Sequence, residues 1–519
     1  GMASARRVSA YAFAGPDDLK NDGNILGLSK SERATTQGPH MLSQLCAEFV
    51  GTFFLVFTVG VAVHNDSPFA PIAIGLMLSI QIYTYGSISG AMFNPAVTVA
   101  VALSGRSKLD PRKAFLCICS QFIAGTLAGL IAFAVTEPNT FCFDWTANTT
   151  NSGAGVSLLL ETFFTAALCS AVLTAGTSED TPNQYFGFAI GVTVLASAYA
   201  CGGFDQGSFN PAVTWGISIG NLANSKRTMS CDAGTTFFFL FVPFLGSILS
   251  VAVFRGTRNN IEYAKGKAAL LYEKLLAEFV GTFFLVLTVG IAVTGGGPFA
   301  AVAIGLMLGV QIYTFGSVSG ACLNPAVTLA VLLSGRGKIQ PPAALMYIGV
   351  QFVAGFVGGL TAFLAADKTF YFDFELTEAA GGNGASFCLE ALSTMALCMT
   401  VLTAGTSRDA PNDYYGFAIG ATVLASALMN GKHNQGSFNP AVTVGINLAN
   451  YVNSNSAGNP SIGAWLLFLL TPFLGSCMAA GVFIATRLKE YEDVEGNLHL
   501  LDFQDPSLFG KQVRKMDTE

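Results

Sequence analysis

The tetrapeptide Asn-Pro-Ala-Val occurs four times in this chain, each time between apolar stretches. Asparagine is a favoured helix N-cap and proline is favoured at the first helical position, so each copy predicts the start of a helix. Only about ten apolar residues follow each copy, too few to cross a membrane, which predicts a half-helix that enters the bilayer and stops. The residues concerned are Asn94, Pro95, Ala96, Asn210, Pro211, Ala212, Asn324, Pro325, Ala326, Asn439, Pro440 and Ala441.

Half-helices that enter from opposite faces would meet tip to tip near the middle of the membrane. Both tips carry the positive end of a helix dipole, and both place an asparagine amide where a solute passes. The amides can donate hydrogen bonds to a neutral solute, whereas the paired positive ends raise the energy of a passing cation. The pattern therefore predicts the midpoint of a pore for uncharged solutes.

The composition is that of a membrane protein. Of the 519 residues, 52% are hydrophobic and only 11% are charged, whereas charged residues make up about a quarter of a soluble domain. The apolar residues form twelve blocks of roughly 20 residues, the length that a helix needs to cross a bilayer. We predict an all-α protein with twelve spans in the lipid bilayer. No nucleophile–base pair, metal-ligand cluster or phosphate loop occurs, so we expect no enzyme, no metal, no cofactor and no nucleic-acid partner.

The chain repeats itself with a shift of about half its length. The stretch AEFVGTFFLV begins at Ala47 and at Ala277, and QGSFNPAVT begins at Gln206 and at Gln435, which are shifts of 230 and 229 residues. Each unit then contains six spans. The predicted organisation is a flexible tail 1–40, unit 1 over 41–256, a linker 257–270, unit 2 over 271–487 and a tail 488–519.

Each unit is itself a repeat, marked by a glutamate inside an apolar block before each Asn-Pro-Ala. The spacing from glutamate to asparagine is 46 residues in the first half of each unit and 49 in the second. Three spans per half give the two halves opposite orientations, which is an inverted repeat. The glutamates either brace the re-entrant loops or relay protons, and the family that the sequence resembles, named below, implies bracing. They are Glu48, Glu161, Glu278 and Glu390.

Basic residues set the orientation. If both termini are cytoplasmic, 22 Lys and Arg residues lie on the cytoplasmic side and four on the other, so we predict cytoplasmic termini, with the plasma membrane favoured over internal membranes. Asn148 then begins an outward-facing glycosylation triplet. Cys142 and Cys231 lie in polar loops and would pair only if that side is oxidising; we favour a coincidence.

The sequence resembles the aquaporins, also called major intrinsic proteins. The matching motifs are AEFVGTFFLVF in the first span, SGAMFNPAVT and QGSFNPAV in the re-entrant loops, and Gln121-Phe122 with Gly125 in the third span. The resemblance implies six tilted helices and two half-helices around one pore in each unit. Because aquaporins usually assemble as tetramers of units, it also implies a homodimer of this chain with four pores.

The resemblance also locates a filter on the outer side of the asparagines, where the family nearly always has arginine after the second Asn-Pro-Ala. This chain has Val213 and Val442 there. The implied filter positions are Ile74, Ala198, Gly207 and Val213 in unit 1, and Ile304, Ala427, Gly436 and Val442 in unit 2. If the alignment of the fifth span is shifted by one residue, Ser197 or Tyr199 takes the place of Ala198, and Ser426 or Leu428 takes the place of Ala427.

Valine narrows a pore less than arginine and does not repel cations. We therefore predict a wide, apolar filter and a passive channel for water and small uncharged solutes such as glycerol, urea, ammonia or hydrogen peroxide. Lys432 and His433 are an alternative source of positive charge for the second pore alone. The alternative functions are an ion-conducting channel of the same fold and a closed structural or osmosensing membrane protein.

Overall fold

The computed structural model describes residues 39–64, 67–145, 153–180, 183–204, 207–227, 231–373, 382–408, 412–431 and 435–492. The chain divides after Ala269 into two compact units, here called unit 1 and unit 2. Over the described residues the secondary structure is helical, without a β-strand. This confirms the predicted all-α fold.

Unit 1 contains eight α-helices in its described part. Its fifth helix continues as a π-helical turn over Val172–Gly176, and its eighth continues as another over Asn259–Tyr263. The helices are α1 (Met41–His64), α2 (Ala70–Ser89), α3 (Pro95–Leu103), α4 (Pro111–Thr136), α5 (Ala154–Ala171), α6 (Phe186–Cys201), α7 (Pro211–Ala223) and α8 (Ala233–Arg258).

Unit 2 repeats this order. Its fifth helix continues as a π-helical turn over Val401–Gly405, and its last is followed by a 3₁₀ turn over Leu488–Tyr491. The helices are α9 (Leu271–Thr294), α10 (Ala300–Ser319), α11 (Pro325–Leu333), α12 (Pro341–Ala366), α13 (Gly382–Thr400), α14 (Tyr415–Asn430), α15 (Pro440–Val452) and α16 (Ile462–Thr486).

Ten helices in the described part are long and apolar enough to cross a membrane. Two of the twelve predicted spans, α6 and α14, are apolar helices of 16 residues. At 1.5 Å per residue they are about 24 Å long, shorter than the roughly 30 Å hydrocarbon core. The remaining four helices, α3, α7, α11 and α15, have nine or thirteen residues and are the predicted half-helices.

Glycines allow the half-helix α7 to pack closely against α4. A Cβ atom added to Gly129 would overlap the backbone of Gly216, and one added to Gly125 would contact the carbonyl oxygen of Ala212 at 2.6 Å. The same close approach joins α12 and α15 in unit 2 at Gly359. These contacts fix the half-helices against full-length spans.

A Glu-Tyr pair follows the last helix of each unit and contacts the segment at the end of that unit's first half-helix; we call this pair the clasp. In unit 1, part of the predicted linker forms the clasp. Glu262 pairs with Arg106 at 3.5 Å, and both side chains are almost fully buried. Glu262 also accepts a hydrogen bond from Ser178, and Tyr263 donates to the carbonyl of Ser104 at the end of α3.

The clasp of unit 2 makes the same contacts. Glu490 pairs with Arg336 at 3.4 Å and accepts a hydrogen bond from Ser407 Oγ at 2.8 Å. Tyr491 donates to the carbonyl oxygen of Ser334 at 2.5 Å. Since each clasp joins the end of a half-helix to the loop after a π-helical turn, it secures that end of its unit.

We expect Glu490→Gln to destabilise unit 2 and to reduce its sensitivity to acid. Burial raises the pKa of Glu490. Hydrogen bonds from Ser407 and Arg408 and the charges of Arg336 and Arg408 lower it by more, so the net pKa lies below the usual 4.5. The charged pair therefore stabilises the fold at neutral pH and is lost as the pH falls through that lowered pKa. Leaving Arg336 unpaired costs about 3–5 kcal/mol.

Thermal unfolding of the purified protein at pH 7 and at pH 4 measures both effects. The variant should unfold at a lower temperature at pH 7 and lose less further stability at pH 4 than the wild type. Glu492→Gln is the matched control, because Glu492 directly follows Tyr491 and is exposed. This variant should behave as the wild type. Identical acid sensitivity in the Glu490 variant and the wild type would contradict the expected role.

Candidate functional site

The tips of the two half-helices of unit 1 are hydrogen-bonded to each other. Asn94 Nδ2 donates to the carbonyl oxygen of Phe209 at 2.9 Å, and Asn210 Nδ2 donates to the carbonyl oxygen of Phe93 at 3.0 Å. Each asparagine also caps its own helix, because its Oδ1 accepts the N–H two residues later at 2.9 Å. The reciprocal bonds hold the two re-entrant loops together.

Unit 2 has the same arrangement. Asn324 Nδ2 donates to the carbonyl oxygen of Phe438 at 2.9 Å, and Asn439 Nδ2 donates to the carbonyl oxygen of Leu323 at 3.0 Å. A carboxamide has two N–H donors, and the opposite loop takes one of them. Each asparagine thus has a second N–H group, and all four asparagines line the cavity of their unit.

Glu48 holds the first re-entrant loop of unit 1. It is fully buried and accepts hydrogen bonds from Ser89 Oγ, from the backbone N–H groups of Met92 and Phe93, and from Gln121 Nε2, at 2.6 to 3.0 Å. Phe93 has a φ of 48°, in the left-handed region that non-glycine residues rarely adopt. The glutamate therefore stabilises a strained backbone just before the capping asparagine.

The other three glutamates contact their loops in the same way. Glu161 accepts the backbone N–H groups of Ser208 at 2.5 Å and Phe209 at 2.9 Å. Glu390 does so in unit 2 at 2.7 and 3.0 Å, and Glu278 repeats the contacts of Glu48. These hydrogen bonds support the bracing interpretation over a proton relay.

Unit 1 contains a cavity of about 270 Å³, and the two asparagines line it. Ile74, Ala198, Gly207 and Val213, the positions that the resemblance implied for a filter, all line it. The neighbour Tyr199 instead donates its hydroxyl to the carbonyl oxygen of Pro68 at 3.0 Å. This geometry favours Ala198 over the alternative registers in unit 1.

Unit 2 contains a cavity of about 460 Å³. Ile304, Ala427, Gly436 and Val442 line it, and Leu428 lines it as well. Of the three candidates for this position in α14, Ala427 and Leu428 therefore line the cavity, and Ser426 is not among its lining residues.

Among the described lining residues of both cavities there is no charged side chain. The polar groups are the four asparagines, a few serines, Gln435 and backbone atoms. Lys432 and His433, the alternative source of positive charge, lie outside the described residues, as does the glycosylation triplet at Asn148. The part of the chain that the structure describes has no cluster of metal-ligating side chains.

The sequence analysis missed Phe143 and its counterpart Phe372, which line the cavities. A signal was present, because Phe-x-Phe-Asp occurs at the same place in both units, over 141–144 and 370–373. The expectation of coincidence for Cys142 was wrong: it forms a disulfide with Cys231. The bond ties the segment that carries Phe143 to the residue before the cap of α8.

The comparisons with known proteins agree with this architecture. The family model "Major intrinsic protein" matches twice, over residues 35–254 and 265–483. Glycerol uptake facilitator protein-like 6 of Lactiplantibacillus plantarum is 33% identical over 40% of this chain and 94% of its own length. Aquaporin NIP1-3 of Oryza sativa subsp. japonica is 32% identical over 42% and 75%, and Nodulin-26 of Glycine max is 30% identical over 44% and 86%.

The fold and the site define a multi-pass membrane protein with two re-entrant half-helices in each of two tandem units. The chain belongs to the major intrinsic protein family, with two aquaporin units in one polypeptide.

Proposed function

We propose that each unit is a passive channel for water and small uncharged solutes, with an apolar filter that lacks the arginine usual in the family. The observation that carries the proposal is the cavity itself. It is lined mostly by apolar side chains, and the two asparagine amides that also line it each have a second N–H group to offer a passing solute.

The arrangement can select by charge and by size. A neutral solute exchanges hydrogen bonds to water for bonds to the asparagine amides and to exposed loop backbone. A cation meets the positive ends of two half-helices in a cavity with no anionic lining group among the described residues. The apolar filter offers nothing that replaces the hydration shell of an ion, so the energy of a desolvated charge is high there.

The relatives support a channel rather than an enzyme. One of the similar proteins is named a glycerol uptake facilitator, and others are named aquaporins. These names fit a filter that admits glycerol as well as water.

Proteoliposomes test the proposal. We expect vesicles with the purified chain to shrink faster than empty vesicles in a sucrose gradient, and to reswell faster in glycerol or urea gradients. The control is a variant with Ala198→Trp and Ala427→Trp, in which an indole fills each cavity beside the filter. Rates equal to those of empty vesicles for every solute would overturn the proposal and favour the closed structural or osmosensing alternative.

The absence of the filter arginine motivates a second candidate, an ion-conducting channel. Valine at positions 213 and 442 removes a charge that repels cations. Planar bilayers made with the same preparation decide between the two. Neutral-solute permeation without current supports the first proposal, and a current that the Trp variant abolishes supports ion conduction.

We further propose that both termini are cytoplasmic, that the protein resides in the plasma membrane, and that two copies form a four-pore assembly. The distribution of basic residues supports the orientation. The Cys142–Cys231 disulfide supports it too, since disulfides persist in oxidising surroundings and both cysteines belong to the predicted outer side.

A further inference from the structure

The two cavities are built from the same positions. Twenty-four described residues line the cavity of unit 1, and the counterparts of all 24, found by the shifts of 230 and 229 residues, line the cavity of unit 2. Twenty-one of these pairs are identical residues. The shared lining therefore differs in residue type at the three remaining pairs.

All three differences go in one direction, because unit 2 has the smaller side chain each time. The pairs are Ser67 with Gly297, Pro71 with Ala301 and Met92 with Cys322. The cavity of unit 2 is also the larger one, about 460 Å³ against about 270 Å³, and it extends to five further lining residues, Pro298, Ala321, Phe370, Leu428 and Gln435.

The Met92–Cys322 pair lies at the most sensitive place, two residues before the first asparagine of each unit. The backbone is held identically in both units: the N–H of Met92 donates to Glu48 at 3.0 Å, and the N–H of Cys322 donates to Glu278 at 3.0 Å. Because the loops are braced alike, the difference lies in the side chain. Met92 has the longer side chain, and each of the two residues lines the cavity of its unit.

The two units also differ where the start of the second helix lies beside the end of the sixth helix, which we call the mouth of each cavity. In unit 1, Tyr199 bridges these two helix ends through the carbonyl oxygen of Pro68. Its counterpart in unit 2 is Leu428, which has no hydroxyl and lines the cavity, together with Pro298. This hydrogen bond between the two helix ends of unit 1 therefore has no equivalent from Leu428 in unit 2.

We propose that the two pores of the chain have different size limits: unit 1 conducts water and solutes of similar size, and unit 2 also conducts three-carbon polyols and urea. The inference rests on the proposed channel function and adds a division of substrates between the two units. Met92 in unit 1 and Cys322 in unit 2 are the residues that contribute most to it.

Single-pore variants test the division. Ala198→Trp closes unit 1, and Ala427→Trp closes unit 2. With unit 2 closed, we expect the glycerol-to-water permeability ratio of proteoliposomes to fall at least about tenfold, the scale on which a pocket rejects a modest steric excess. With unit 1 closed, the ratio should remain that of the wild type or rise.

Equal ratios in the two single-pore variants would overturn the division while leaving the channel function intact. If neither pore passes any solute although both variants elute as the wild type does from a sizing column, the channel function itself fails. The reciprocal exchanges identify the determinant. Met92→Cys should raise the ratio when unit 2 is closed, and Cys322→Met should lower it when unit 1 is closed.

The unmodified protein offers a test without a bulky substitution. Of the nine free cysteines, only Cys322 is among the described residues that line either cavity. A methanethiosulfonate reagent should therefore remove most glycerol permeation and leave the water permeation of unit 1, and Cys322→Ser should be insensitive. Unchanged glycerol permeation, with modification of Cys322 verified by mass spectrometry, would overturn the division.

Discussion

Arginine in place of both Val213 and Val442 is expected to lower glycerol permeation at least about tenfold, with a smaller effect on water. Both valines line their cavities and are 3% exposed, in the first turn of a half-helix directly after the Asn-Pro-Ala segment. A guanidinium there would extend into the space beside the filter and narrow it. Its fixed N–H donors and charge would also repel cations.

Stopped-flow measurements on proteoliposomes give both permeabilities from the same preparation. Val→Leu at the same two positions is the matched control, because it adds bulk without charge or hydrogen-bond donors. If leucine reproduces the whole effect, size alone governs the filter. A double arginine variant that folds and retains wild-type glycerol permeation would contradict the assignment of these positions to the filter.

The local elements of the fold were predictable from the sequence because their causes are local. Asparagine before proline predicts a capped helix start, and Asn94 and Asn210 each accept the N–H that a cap should accept. The short apolar run after each proline predicts a helix too short to span. Repetition at a fixed shift then gives the two units without any knowledge of contacts.

The contacts between distant segments were not predictable in the same way. The bonds that join Asn94 to Phe209 and Asn210 to Phe93 cross 115 and 117 residues, and no local pattern specifies them. The clasp has a sequence signal, the Glu-Tyr pair after each last helix, but its partners lie far away in the chain. The polar residues after the last helix of unit 1 have the composition of an ordinary linker. Only the structure shows that Glu262 among them is buried against Arg106.

Removal of the loop-bracing carboxylate in Glu278→Ala is expected to prevent unit 2 from folding stably. Glu278 is fully buried and accepts hydrogen bonds from Ser319 Oγ, from the N–H groups of Cys322 and Leu323, and from Gln351 Nε2, at 2.7 to 3.0 Å. A buried donor without a partner costs about 1–3 kcal/mol. Four such donors together approach the whole stability of a typical domain, about 5–15 kcal/mol.

The loss should also reach the pore, since Leu323 has a φ of 50° and precedes the capping Asn324. Without the carboxylate nothing offsets that strained conformation, so the asparagine would leave its position at the half-helix tip. Glu278→Gln keeps one acceptor oxygen but turns an NH₂ group toward donors, and should be intermediate. The yield of monodisperse protein and its unfolding temperature should be highest for the wild type, lower for Glu278→Gln and lowest for Glu278→Ala. An alanine variant as stable as the wild type would show that Glu278 does not brace the loop.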